Sequence, residues 1–416
     1  MKQKLGLYIL LSLLITSFYS RSTEDQKYWH INFQLNDKDV LPFTAYLEYT
    51  TQLELVIINA EERIRLTNIR TKNDSIFIKV DLFNSELKCK VISEKYITGA
   101  WYNYNKGEDY AIPFNASNEY LPRFNSISPS INVTGKWEVV FGYDGDSPEK
   151  SIGLFNEIKE PCSECAQSYA TGIKGTFLTE TGDYRYLEGN LSHDSLYLST
   201  FDGTHAFLFK AKLIADTLWG EFYSGTHYKT VWYAVRNEQV KLTDPYHLTY
   251  RINEKPLAFT LPDIKNESYT YPNDETANKV TLIQLMGTWC PNCLDESNYL
   301  KNIQSTHGTD IEIISIGFEA CASPEDNLSQ LKKYREKLNL DFTFLLGGVA
   351  SKSAASNLFP MFNEISSFPT LLYIDKSGKI RKIHTGFSGP GTGDYYEKFV
   401  KESNEFISQL IAEPIK

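Results

Sequence analysis

The stretch Val280-Thr-Leu-Ile-Gln-Leu-Met-Gly-Thr-Trp-Cys-Pro-Asn-Cys293 decides how the second half of this chain is read. Val280 to Met286 is an apolar run of strand length, and Gly287 punctuates it before two cysteines spaced two residues apart. A helix opening at Cys290 puts that thiol where unpaired N–H groups and the helix dipole favour negative charge and so lower a thiol pKa. Pro291 then falls at the first helical position, where its fixed φ and missing N–H cost nothing. Cys293, one turn further on, is placed to attack a mixed disulfide at Cys290 and release the partner. A static disulfide or half of a metal site are the alternative readings of the same spacing.

Working outward, strands and helices alternate. Strands are expected at Ile311 to Gly317, Phe342 to Leu346, Leu371 to Ile374 and Lys379 to His384, with a helix around Leu328 to Leu338. In a final helix Tyr395, Phe399, Phe406 and Leu410 recur at helical spacing and give one apolar face to lay on a sheet. Residues 255–416 therefore read as an α/β domain. Ser367-Phe-Pro-Thr370 stands directly before one of its strands, where a proline is tolerated because a strand start need not supply a ladder N–H.

The 416 residues predict two or three domains at about 150 residues each. Tyr and Phe number 27 and 24 against 3 Met, a bias toward strand formers. From about Tyr28 to Arg236 the text reads as short strands separated by turns, among them Ile76 to Val80, Tyr184 to Leu187, Ser195 to Ser199, Ala206 to Phe209 and Val231 to Val235. Asp74-Ser-Ile76 is echoed by Asp194-Ser-Leu196, and Ile97 to Tyr102 by Leu218 to Tyr223, so two similar meanders over about 28–116 and 134–236 are expected, joined through Asn118 to Val133. Closing them into a barrel or stacking them as a sandwich would shelter strand edges. The expected architecture is α+β with two domains: a β-rich region over 26–240, then the α/β domain.

Lys2 and Lys4, the apolar run Leu5 to Ile15 and the small polar residues through Ser22 read as a signal peptide over 1–22. An uncleaved N-terminal anchor is the alternative. Export, to a periplasm, places six cysteines in an oxidising compartment. A net charge of −10 disfavours a nucleic-acid or anionic-membrane partner.

Residues from about Lys255 to Lys416 resemble the TlpA/ResA-like thioredoxin family of extracytoplasmic thiol-disulfide oxidoreductases. The matching text is Leu285 to Cys293 followed by Glu296, the insertion Ile316 to Leu346, and Phe368-Pro-Thr370 leading into Ile374-Asp-Lys-Ser-Gly-Lys379. The whole chain also resembles a two-domain form met in Bacteroidota-type proteins, through Gly175-Thr-Phe-Leu-Thr-Glu-Thr-Gly-Asp-Tyr-Arg-Tyr-Leu-Glu-Gly189 and Gly386-Phe-Ser-Gly389. The resemblance implies a thioredoxin fold in which Cys290 and Cys293 form a redox-active disulfide and no other cofactor is needed. It also implies that Pro369 is a cis-proline facing the cysteines, with Trp289 and Phe368 beside it binding extended substrate chain. Glu296 would help set the active-site pKa; a carboxylate one turn from Cys293 raises that thiol or acts as its base. Thioredoxins carry an aspartate where this chain has Gln284, and an amide does not titrate. Partners implied are protein thiols and disulfides, and a membrane electron donor of the DsbD/CcdA kind.

The remaining cysteines are read more plainly. Cys321 is either a third redox thiol or a buried bystander. Cys162 and Cys165 suit a small loop disulfide, with a second redox centre or metal half-site as lesser readings, and Cys89 is a strand residue. No histidine has ligand spacing, so no metal is expected. Three functions compete: a protein-disulfide reductase; an oxidant, isomerase or redoxin-type peroxidase; and an envelope protein whose β-rich region binds a ligand or partner. The peroxidatic Thr-x-x-Cys pattern is missing, since Gly287 precedes Cys290 by three and Cys290 precedes Cys293 by three.

Overall fold

The computed structural model describes residues 27–127, 129–161, 169–321 and 323–415. The expected signal peptide, Cys162 and Cys165 lie outside them. Among the described residues two compact units emerge, one running up to Thr176 and again over Tyr186–Val240, the other of Phe177–Arg185 and the residues from Lys241 onward.

The first unit holds two large antiparallel sheets. In the earlier one nine strands run in the order Glu62–Leu66, Leu53–Asn59, Val40–Tyr49, Tyr28–Gln34, Ala111–Ser117, Tyr96–Asn103, Ser85–Ser93, Ser75–Val80 and Asn68–Lys72. Its two edge strands are short and carry Arg63, Arg65, Arg70 and Lys72, charges that discourage edge pairing with other chains. In the later sheet Glu149–Pro161 pairs with Gly135–Phe141 on one side and Tyr169–Thr179 on the other, so the pairings return to their start and the sheet closes. Phe33, Phe43 and Trp101 of the earlier sheet pack with Phe201 of the later one at ring separations of 4.8 to 5.1 Å. Arg123, in the connection between the sheets, is buried and donates to the carbonyls of Ile58 at 2.7 Å and Ser199 at 3.2 Å.

The two sequence echoes have matching local structure. Asn73 and His193 both take positive φ, 57° and 51°, in two-residue turns that pair Lys72 with Ser75 and Ser192 with Ser195. The Asp74 and Asp194 carbonyls accept equivalent bonds, from Val91 at 2.9 Å and Leu213 at 2.8 Å. Gly99 and Gly220 occupy like places, where a Cβ would lie 2.2 and 2.4 Å from the carbonyls of Lys88 and Lys210.

The second unit is built on a five-stranded sheet with these elements in chain order: β1 Val280–Met286, α1 Pro291–His307, β2 Ile311–Glu319, α2 Pro324–Leu338, β3 Thr343–Val349, α3 Lys352–Leu358, β4 Thr370–Ile374, β5 Ile380–Thr385 and α4 Asp394–Ala412. The sheet order is β3-β2-β1-β4-β5, with β1, β2 and β3 parallel and β4 and β5 antiparallel to their neighbours. All seven residues of β1 are buried, as a central strand covered on both faces requires. Ile283 and Leu285 face a core of Phe318, Phe359, Phe362 and Leu372, and the period of two turns Gln284 to the opposite face, toward α1.

Two local expectations change. Tyr184 to Leu187 does not form one strand: Arg185 has φ +55°, outside the extended region, and only from Leu187 does a strand resume. The buried stripe of α4 is Phe399, Ser403, Ile407 and Leu410, with Phe406 half-buried beside it, 5.7 Å from the Tyr373 ring of β4; helical spacing from Phe399 reaches Ser403, whose hydroxyl meets Tyr299 and Tyr373.

Candidate active site

The site begins at the end of β1. Gly287, Thr288 and Trp289 turn the chain, and Cys290 becomes the N-cap of α1 with extended backbone, φ −103° and ψ 113°. Its Sγ accepts the Cys293 N–H at 3.3 Å, the bond a capping side chain makes to the third helical residue. Pro291 fills the first helical position. Cys290 keeps 7% of its surface exposed and Cys293 none, and both are free thiols.

That difference in burial divides their roles. Burial pushes the Cys293 thiol well above the usual thiol range, reinforced by Cys290 and by the Glu296 carboxyl. Cys293 is thus held as a protonated thiol beneath the sulfur that meets the surface.

Glu296 lies one turn beyond Cys293 and is fully buried. Its Oε2 accepts the Gln284 amide at 3.0 Å, and burial pushes its pKa up to about 8. Gln284 holds four partners: Glu296, the Cys293 carbonyl at 3.3 Å, and the hydroxyls of Ser297 and Ser315 at 3.1 and 2.8 Å. The residue that cannot titrate therefore orients the one that can.

A second buried carboxylate was not singled out in the sequence. Glu319, at the end of β2, accepts the Thr288 N–H at 2.9 Å and the Thr288 hydroxyl at 2.6 Å. Burial pushes it up to about 7. The neighbouring Phe318 carbonyl accepts the Trp289 indole N–H at 2.9 Å. The turn that presents Cys290 is fixed at two consecutive residues by the end of β2. Thirty-one positions separate Thr288 from Glu319, and the signal available in sequence was a glutamate ending an apolar strand run.

The Phe368–Pro369 peptide is cis, and the Phe368 carbonyl lies 3.7 Å from Cys290 Sγ. The Phe368 ring stacks on Phe318 at 5.1 Å and meets Trp289 edge-on at 6.2 Å, so an apolar shelf adjoins Cys290. Trp289, Phe368, Pro369, Cys290, Cys293 and Glu296 are thus gathered at one end of the sheet. Cys321 follows β2, half-buried and free, with its thiol raised by burial and by Glu319 and Asp326. Cys89 is a free, buried strand residue of the first unit, its thiol pushed up to about 12 by burial.

Chemically, the arrangement is a dithiol with one reachable sulfur, one sheltered sulfur, a buried carboxyl beside the second and a backbone carbonyl beside the first. The comparisons with known proteins fall on this unit. The Redoxin family model matches residues 252–398. The thiol:disulfide interchange protein DsbE of Allochromatium vinosum is 30% identical over 92 residues, which are 22% of this chain and 49% of that protein. The thiol-disulfide oxidoreductase ResA of Geobacillus kaustophilus is 27% identical over 131 residues, 31% of this chain and 66% of that protein. A solved thiol-disulfide oxidoreductase from Bacteroides fragilis is 16% identical, covers 35% of this chain and 99% of its own, and has a TM-score of 0.26. The chain spans 49% and 66% of the length of these two curated relatives. Residues 252–398 match a redoxin domain, and this part of the chain is similar to thioredoxin-fold oxidoreductases of the TlpA/ResA-like kind.

Proposed function

We propose that the protein is an extracytoplasmic thiol-disulfide oxidoreductase that reduces protein disulfides through Cys290 and Cys293. The observation that carries this reading is the pairing of a surface-reaching Cys290, capped by its own helix, with a fully buried Cys293 one turn away. Cys290 as thiolate attacks one sulfur of a client disulfide; a Cys290–client disulfide forms and the other client sulfur leaves as a thiolate. Cys293 then gives up its proton and attacks Cys290 Sγ. The Cys290–Cys293 disulfide forms and the second client thiolate departs, so two electrons and the two thiol protons pass to the client. Glu296, beside Cys293, is suited to take the proton that this second step releases when its carboxyl is ionised, a fraction that grows as pH approaches 8. No further cofactor enters this scheme. A membrane donor of the DsbD/CcdA kind would restore the dithiol, and a periplasmic location follows from the N-terminal leader read in the sequence.

Cys293→Ser should trap Cys290–client disulfides in cells, and finding none would count against the mechanism. The reduction potential sets the direction. A value near or below about −250 mV supports a reductase, whereas one nearer about −120 mV makes the protein an oxidant.

A further inference from the structure

Two sequence stretches that the thiol chemistry leaves unexplained, 177–185 and 386–389, meet in the second unit. Phe177–Arg185 is a tight hairpin in which Thr179 pairs with Gly182 and Leu178 with Asp183. The Arg185 guanidinium grips Asp295 of α1 with two bonds of 2.9 Å, Nε to Oδ2 and Nη2 to Oδ1. Both side chains are about nine-tenths buried, and Asp295 lies two residues past Cys293. Arg185 holds this grip from φ +55°, a conformation that non-glycine residues rarely adopt.

The rest of the hairpin tip touches three further segments near Cys290. The Thr181 carbonyl accepts the Ser367 hydroxyl at 3.4 Å, two residues before Pro369. Gly182 faces the Asn292 amide, between the two cysteines, closely enough that a Cβ would lie 3.3 Å from it. The Asp183 carboxylate accepts the Gly389 N–H at 2.6 Å. Gly386 sits so tightly against Thr181 that a Cβ there would come within 2.4 Å of its carbonyl oxygen.

We propose that this hairpin is a specificity element of the thiol site: a wall latched to α1 through Arg185 and Asp295, which favours clients presenting a disulfide on a flexible, extended segment over clients whose disulfide is set in a folded surface. The inference rests on the oxidoreductase reading of Cys290. Cys290 Sγ can react only with a sulfur that comes into contact with it, and the residue as a whole is only 7% exposed. With the Trp289–Phe368 shelf on one side and the hairpin on Asn292, Ser367 and Gly389 on others, bulk flanking the client sulfur meets protein before the sulfurs meet. A bidentate guanidinium–carboxylate pair is the side-chain contact best able to keep such a wall in one place.

The test uses two probes with one leaving group. A flexible peptide and a small folded protein each carry a single cysteine joined by a disulfide to the same aromatic thiol. Reduced full-length protein attacks the client sulfur, and release of the coloured aryl thiolate gives each rate. Wild type should react faster with the peptide, and in Arg185→Ala the ratio of peptide to folded-protein rate should fall about tenfold. Asp183→Ala, which frees the Gly389 and Arg185 N–H groups without stranding a buried charge, should lower the ratio in the same direction and serves if Arg185→Ala fails to fold. An equal wild-type rate with both probes, or a ratio unchanged in the folded variants, overturns the proposal. Wild type releasing thiolate from neither probe instead overturns the oxidoreductase reading on which it stands.

Discussion

Gln284 and Glu296 meet in the interior of the second unit, both fully buried, with the Gln284 amide donating to Glu296 Oε2 at 3.0 Å. A neutral amide offers a carboxylate one hydrogen bond but no charge, so burial dominates and the carboxyl is pushed up to about 8 from an ordinary value of 4.5. The consequence is a pH-dependent cost of folding. Below about 4.5 the carboxyl is protonated in both folded and unfolded chains. Between 4.5 and 8 the unfolded chain releases the proton while the folded one keeps it, and stability falls as pH rises by about 1.4 kcal/mol per unit. Glu296→Gln removes this term. The variant should gain on wild type steadily from pH 5 to pH 8 in calorimetric melting; a constant difference across that range would refute the assignment.

The same carboxyl acts on Cys293. Ionised above pH 8, it opposes a thiolate one turn away, and it is among the causes that hold the Cys293 thiol high. In a Cys290→Ser background, adding Glu296→Gln should move the pH midpoint of Cys293 alkylation downward, by about one unit or less. An upward or absent shift would mean that the carboxyl does not face the thiol.

Glu319 should act on Cys290 through Thr288. Glu319→Leu leaves the Thr288 N–H and hydroxyl buried without their acceptor, which costs about 1 to 3 kcal/mol of stability. It should also loosen the turn before Cys290 and slow that thiol's reaction with a small disulfide, whereas Glu319→Gln, able to accept the N–H, should restore most of the rate. Loss of stability with no change in Cys290 reactivity would leave Glu319 a purely structural residue.

What the sequence made legible follows from how local each signal is. Cys290, Pro291, Cys293 and Glu296 lie within seven consecutive positions, and the strand before and helix after them come from short-range patterns. Pro369 is tolerated at a strand start and says little alone, so its place facing the cysteines was legible only through the family resemblance. Glu319 and Gln284 could not be assigned partners, since their bonds depend on which strands lie side by side. Arg185 was hidden for a further reason. The alternation of Tyr184, Arg185 and Tyr186 imitates a strand, and the competing preference, burial of the guanidinium against Asp295, arises 110 positions away.

Two glycines with nearly equal backbone angles separate packing from conformational strain. Gly378 has φ +81° in the turn between β4 and β5, and a Cβ there would meet nothing within 4 Å. Gly386 has φ +79°, and a Cβ would lie 2.4 to 2.7 Å from three backbone atoms of Thr181. Alanine at either position pays for the left-handed conformation, about 1 to 2 kcal/mol. At Gly386 it must also displace backbone, which cannot swing aside as a flexible side chain would. Gly386→Ala should therefore lower the melting temperature clearly more than Gly378→Ala and increase proteolytic cleavage within 177–185, whereas Gly378→Ala should leave that segment as protected as in wild type. Equal losses in the two variants would show that the close approach of Thr181 to Gly386 contributes nothing, and that the hairpin is not held against this loop.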